Sequence, residues 1–104
     1  MDSFVEQSLL YDFYGDLLTE HQKEIYESYV SENLSLAEIA QEAGISRQGV
    51  HDTIKRCNQL LNEYEEKLQL VKKFLEIKAL VKKIETCEKL EDAKKTANEI
   101  LEKL

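Results

Sequence analysis

The sequence predicts an all-α protein: a helix-turn-helix head, a long helix and a C-terminal helical extension. Three observations carry that expectation. Proline is absent and glycine occurs only three times in 104 residues, so little interrupts a helix. Apolar residues recur at intervals of three and four, the period of a helix with one buried face. The third is "AGIS" at 43–46, which sets a glycine between two such amphipathic segments.

The first segment runs from about Asp2 to Leu18 and places Phe4, Val5, Leu9, Phe13 and Leu17 on one face. Asp2 or Ser3 is expected to cap it, and Gly15 to bend or end it. A second begins at "LTEHQ", where the Thr19 hydroxyl can accept from an exposed amide of the first turn. Leu18, Gln22, Ile25, Tyr29 and Val30 define its inner face until "SENLS" interrupts. The third is short, with Leu36, Ile39, Ala40 and Ala43 inward. Ser35 and Glu38 have the spacing of a capping box, in which each side chain bonds the other residue's amide. Gly44 then falls where the helix must stop in a left-handed conformation, which suits glycine. Ile45 points to the core and Ser46 caps the next helix. Ala40 and Val50 pack the two helices against each other across the turn.

Beyond Val50 the apolar positions continue through Ile54, Cys57, Leu61, Tyr64, Leu68, Val71 and Leu75, in steps alternating between four and three. With no breaker present, this reads as one helix of roughly 28–30 residues, about 40–45 Å long. Leu61, Tyr64, Leu68, Val71 and Leu75 overshoot a three-helix head. They are expected to be covered by the C-terminal helices or to form a homodimer seam, and the dimer is the favoured reading. Ile77, Leu80, Val81 and Ile84 make one further amphipathic segment, and Leu90, Ala93, Ala97, Ile100 and Leu104 another. "TCEKLED" lies between them as a turn or as continuing helix. The chain therefore divides into a head, 1–60, and a helical extension, 61–104, joined as one continuous unit.

Charge is placed unevenly. Residues 1–60 hold 11 Asp+Glu against 4 Lys+Arg, whereas residues 61–104 hold 10 of each, so the whole net charge of −7 belongs to the head. No Lys/Arg run supplies a general nucleic-acid or lipid-headgroup patch. The acidic start lacks the basic run of a secretory signal, and no apolar stretch is long enough to span a bilayer, so the expected location is the cytosol, with no membrane contact. Cys57 and Cys87, thirty residues apart with only His21 and His51 elsewhere, show no metal-ligand spacing. They read as free thiols, Cys57 a small buried hydrophobe on the stripe. An enzyme is not expected: three glycines cannot build a phosphate loop, and no Ser or Cys stands in a motif that brings a histidine to it. No cofactor is implied.

The stretch "LLTEHQKEIYESYVSENLSLAEIAQEAGISRQGVHDTIKR" resembles the fourth region of bacterial sigma factors, which recognises the promoter −35 element. It shares an "LT-x-x-Q" helix start, an "S-x-x-E-I-A" helix and a "G-I-S-R" turn, in that order. The match is closer to the YlxM family of small bacterial proteins, through "YDFYGDLLT" and "ISRQGVHDTIKRC", and covers about residues 4–75. The resemblance implies a sigma-region-4-like head and a regulatory part in the signal recognition particle pathway. That pathway link rests on the family's gene neighbourhood, beside the particle's GTPase, and on no residue of this chain.

A head of this kind turns the early face of its second motif helix toward base edges. Here the candidates are Ser46, Arg47, Gln48, Gly49, His51, Lys55 and Arg56. Arg47 can pair with guanine and Gln48 with adenine. Lys55 and Arg56 can reach phosphates, as can the helix-start amides beside Ser35 and Ser46. Asp52 opposes this, since a carboxylate on that face repels phosphate. Gly49 costs about 0.5–1 kcal/mol inside a helix relative to alanine and raises the question of what approaches it. His51 reads as solvated, and the five tyrosines as core edges with solvated hydroxyls. The leading expectation is a noncatalytic nucleic-acid-binding regulator whose partner is DNA or signal recognition particle RNA. The alternative is a protein-interaction module on a vestigial DNA-binding scaffold, its acidic head meeting a basic partner such as the particle's protein component.

Overall fold

In the computed structural model every regular element among the described residues is helical. The structure describes residues 3–104, with side chains from residue 4 onward, so the cap expected of Asp2 or Ser3 lies outside the described residues. The elements are α1 (Ser3–Tyr14), a 3-10 turn (Gly15–Leu17), α2 (Glu20–Val30), α3 (Leu36–Ala43), α4 (Arg47–Leu68), α5 (Leu70–Glu85) and α6 (Leu90–Lys103). They form two compact units, one ending at Leu68 and the other spanning Gln69–Leu104.

In the first unit, α1, α2 and α3 all pack on α4. The starts of α2 and α3 follow the expected chemistry. Thr19 with Gln22, and Ser35 with Glu38, close complete capping boxes. Val50, Ile54, Cys57 and Leu61 of α4 are buried, and so are Ile25 and Val30 of α2 and Ile39 of α3. Ala43, expected inward, is exposed.

The inner face of α1 departs from expectation. Phe4, Val5, Phe13 and Leu17 are exposed, and the buried positions are Leu10, Tyr14 and Leu18. The reason is aromatic. Tyr14 and Tyr26 are fully buried, and the Tyr11 ring lies 5.5 Å from Tyr26 while that of Tyr14 lies 6.0 Å from Tyr64. Their hydroxyls are not merely solvated: Tyr26 donates to Asn58 Oδ1, Tyr14 to Glu65 Oε1 at 2.6 Å and Tyr11 to Glu27 Oε2 at 3.1 Å. Large rings with satisfied polar tips outcompete the phenylalanines for the interior. At Gly15, where α1 gives way to the 3-10 turn, a side chain would crowd the Tyr11 ring, its Cβ coming within 2.9 Å of Tyr11 Cε1.

The long helix also differs. It stops at Leu68, after 22 residues, and Gln69 adopts a left-handed conformation with φ 55° before α5 begins. The head covers α4 only as far as Leu61 and the Tyr14–Glu65 bond; Leu68 is 52% exposed. A left-handed non-glycine residue costs about 1–2 kcal/mol. The run Leu61, Tyr64, Leu68, Val71 and Leu75 is therefore interrupted at Gln69, with three of its residues on α4 and two on α5. Leu61 belongs to the head's core and Tyr64 is half-buried beside it, whereas Val71 and Leu75 lie in the second unit, buried and half-buried. The head itself encloses Leu61, which leaves that side chain no surface to offer a second chain.

In the second unit α5 and α6 pack together as a hairpin, closed by a turn at 86–89 and tied by a Lys103 Nζ–Glu76 Oε2 bond of 2.9 Å. Ile77, Leu80 and Ile84 are half-buried, but Val81 is exposed. On α6 the buried residue is Thr96 rather than Ala97. Its hydroxyl donates to the Asp92 carbonyl at 3.0 Å, which makes burial of the polar side chain tolerable.

Cys57 is a packed hydrophobe, as expected: fully buried, its thiol pushed up to about 11 by burial. Burial also raises the Tyr11 phenol, to about 12, with the Glu27 carboxylate adding to the shift, and raises Tyr26 further. The unfolded chain loses the thiol proton from about pH 9, where the folded chain keeps it. Stability is therefore intact below pH 9 and falls as pH climbs toward 11, by roughly 2–3 kcal/mol from Cys57 alone. Urea unfolding midpoints across this range should fall, and Cys57→Ala should flatten the early part of the decline; an equal decline in the variant would show that the thiol is not responsible.

Candidate nucleic-acid interface

Two helices and a three-residue turn build the site. Helix α3 ends on Gly44, which is left-handed at φ 70°, ψ 30°. The amides of Gly44 and Ile45 both bond the Ala40 carbonyl, at 3.0 and 3.2 Å, so the chain reverses within one residue of the helix end. Ile45 is half-buried, and Ser46 then starts α4, its Oγ accepting from the Gly49 amide at 3.0 Å. Val50, fully buried, fixes the rotation of α4 about its own axis.

That rotation decides which residues are offered to solvent. Arg47, His51 and Lys55 form one exposed row at intervals of four, about 12 Å long at 1.5 Å per residue. Gln48, Asp52 and Arg56 form the adjacent exposed row. All six belong to one outward surface of the helix, as their spacing predicted. Gly49 does not join it: it is half-buried, and an added Cβ would lie 3.2 Å from Ser46 Oγ and 3.7 Å from Ile45 Cδ1. It makes room for the cap and the turn, and no approaching base is needed to explain it.

The two helix starts differ electrostatically. At α3 the Ser35 amide bonds Glu38 Oε1 at 3.2 Å, so a carboxylate already occupies the place where a phosphate would sit. At α4 no acidic side chain lies in the first turn, and Arg47 is its first residue. The start of α4 is therefore free of acidic side chains, whereas that of α3 is closed by its own Glu38. On the exposed rows, Gln48 Nε2 donates to Asp52 Oδ1 at 2.9 Å and His51 Nδ1 lies 3.6 Å from the same oxygen. Gln48 must release Asp52, or act jointly with it, to meet a base. Arg47, Lys55 and Arg56 make no ion pair among the described residues, so three cations stand ready on this surface.

A groove of about 810 Å³ continues this face, and no motif in the sequence announces it. Tyr29, Leu36 and Ile54 line it beside His51, Lys55, Asn58, Gln59, Asn62 and the acidic Glu63. The uncharged run "NQLLN" was its one trace in the sequence, and Asn58 is partly committed to the Tyr26 hydroxyl. No group of three or more metal-ligating side chains occurs among the described residues.

The UPF0122 family model, described as "Putative helix-turn-helix protein, YlxM / p13 like", matches residues 1–102. Curated relatives agree. A UPF0122 protein of Desulforamulus reducens is 48% identical, covering 99% of this chain and 97% of its own. One of Caldanaerobacter subterraneus subsp. tengcongensis is 51% identical over 83% of this chain and 74% of its own. Another, of Acetivibrio thermocellus, is 54% identical over 75% and 67%.

Proposed function

The chain belongs to the UPF0122 family of YlxM-like helix-turn-helix proteins, and from that premise we propose that it is a noncatalytic regulator binding nucleic acid through residues 46–56. The observation that carries this reading is the start of α4: an acid-free first turn, capped by Ser46, leading into Arg47, Lys55 and Arg56 without ion-pair partners among the described residues. Arg47 reads a guanine edge if the target is duplex DNA, with Gln48 released from Asp52 to read adenine. If the target is signal recognition particle RNA, whose A-form groove hides its base edges, the same cations act as charge contacts on phosphates. The protein works in the cytosol as a homodimer, without cofactor or metal. No helix among the described residues is long and apolar enough to cross a membrane.

One observation favours a second reading, an interaction module for a basic protein such as the protein component of the particle. Residues 1–68 hold 14 Asp+Glu against 5 Lys+Arg, a field that attracts a basic partner and weakens binding to any polyanion. A titration against duplex DNA, particle RNA and the particle protein at two salt concentrations separates the two. Nucleic-acid binding that weakens steeply with salt, and that strengthens several-fold in Asp52→Ala, supports the first. Protein binding without nucleic-acid binding, unaltered by Arg47→Ala with Lys55→Ala, replaces it with the second.

A further inference from the structure

The groove that adjoins residues 46–56 sorts charge along its length. Arg47, His51 and Lys55 belong to a ridge of four-residue steps on α4 that winds on through Gln59 to Glu63, and all are exposed. From His51 to Glu63 this ridge lines the groove, over about 18 Å of helix axis at 1.5 Å per residue. Arg47 and Lys55 are cations, Gln59 is an uncharged amide and Glu63 a carboxylate. A phosphate backbone that follows the cations is attracted as far as Lys55 and repelled by Glu63. The part of a nucleotide that continues into the groove must be uncharged.

The lining suits a base. Half-buried Tyr29 of α2 and Leu36 of α3, with buried Ile54, supply an aromatic ring and aliphatic walls. The neighbouring ridge of α4 adds Asn58 and Asn62, one turn apart, each with half of its amide already engaged. Asn58 Oδ1 accepts from the Tyr26 hydroxyl, which leaves its Nδ2 to donate. Asn62 Nδ2 donates to the Asn58 carbonyl at 2.8 Å, which leaves its Oδ1 to accept. Because a carbonyl only accepts, that bond also fixes which way the Asn62 amide points. Toward Glu63 the groove therefore offers a donor, an acceptor and a carboxylate. Guanine carries the complement on its Watson–Crick edge: the O6 acceptor, the N1–H donor and the N2 amine. Uracil and adenine do not match, since neither offers two adjacent donors there. In a duplex this edge is consumed by pairing, so the guanine must be unpaired.

We propose that the groove holds one unpaired guanosine of an RNA strand. Tyr29 lies against the base, Asn58, Asn62 and Glu63 read its edge, and Lys55 meets its phosphate. The ribose comes level with Gln59, whose amide makes no hydrogen bond among the described residues and can pair with the 2′-hydroxyl. The assignment rests on the nucleic-acid reading of residues 46–56 and narrows it to a looped or single-stranded target.

The test is fluorescence anisotropy of the full chain with labelled oligouridine of roughly 12 nucleotides carrying one central guanosine. It should bind about tenfold tighter than the same strand with adenosine or uridine at that position, and inosine, which lacks the N2 amine, should fall between. Annealing to a complementary strand should remove the advantage. Asn62→Leu, at an exposed position, should abolish the guanosine preference with unchanged circular dichroism. Glu63→Ala should tighten every probe and erase the difference between guanosine and inosine. Arg56→Ala should weaken all probes alike and keep the preference. Equal affinity for every strand, lost in Arg47→Ala with Lys55→Ala, would overturn the groove assignment and leave the nucleic-acid reading standing. No binding to any RNA or DNA probe would overturn both. A guanosine preference that survives Asn62→Leu would place the base elsewhere. Guanosine monophosphate binding as tightly as the strand would make the occupant a free nucleotide. Amide shifts at Tyr29 and Leu36 with the particle protein, and none with RNA, would give the groove to a protein.

Discussion

Replacing Tyr26 with alanine should lower the unfolding free energy by about 3–5 kcal/mol, a large part of what a domain of this size possesses. Tyr26 is fully buried, stacks near Tyr11 and Tyr29, and bonds the side chain of Asn58 on α4. Removing its ring leaves a cavity between α1, α2 and α4 that the helices cannot collapse to fill. Tyr26→Phe isolates the polar share: the ring stays, Asn58 loses its donor, and the cost is about 1–2 kcal/mol. Urea denaturation of the two variants measures both quantities. A cost below about 1 kcal/mol for the alanine variant would mean that the tyrosine cluster is not the head's core.

Arg47→Ala, Lys55→Ala and Arg56→Ala together should reduce nucleic-acid affinity by roughly 100-fold or more near physiological salt, with folding stability unchanged. The three side chains are exposed and make no ion pair among the described residues, so their removal breaks nothing in the fold. A guanine-reading arginine contributes about 1–3 kcal/mol, and each cation that sits on a phosphate adds about one to the slope of log affinity against log salt. The opposite change comes from Asp52→Ala, which removes the one carboxylate among the six exposed side chains and frees Gln48. Fluorescence anisotropy at several salt concentrations reads affinity and slope in one experiment. An unchanged slope in the triple variant would place the phosphate-binding cations elsewhere.

What the sequence disclosed and what it concealed divide along a physical line. Local chemistry was legible. The Thr19 cap, the Ser35 box, the left-handed Gly44, the Ser46 cap and the buried Val50 each depend on residues within a few positions of one another, and each was found where its spacing placed it; the return bond from Gln22 that completes a box at Thr19 was not foreseen. Choices that depend on competition between distant residues were not legible. On α1 two apolar stripes compete, and the tyrosine stripe prevails because Tyr26, Tyr64, Asn58 and Glu65, all remote in sequence, receive its rings and hydroxyls. The break at Gln69 leaves no trace either, since glutamine is a good helix former and the alternation of four and three runs straight through it. Within the candidate interface the exposed rows were readable from the turn onward. That Glu38 fills the anion seat of α3, and that Asp52 holds Gln48, depended on side-chain geometry.

The central claim is that the turn at Gly44 presents residues 46–56 as the surface that meets nucleic acid. Amide chemical-shift mapping of the full chain during titration with duplex DNA and with particle RNA tests it most directly. The largest changes should cluster at Ser46 to Arg56, with little change at the Ser35 helix start that Glu38 already occupies. Changes confined to other helices, or none at saturating concentrations of either nucleic acid, would contradict it.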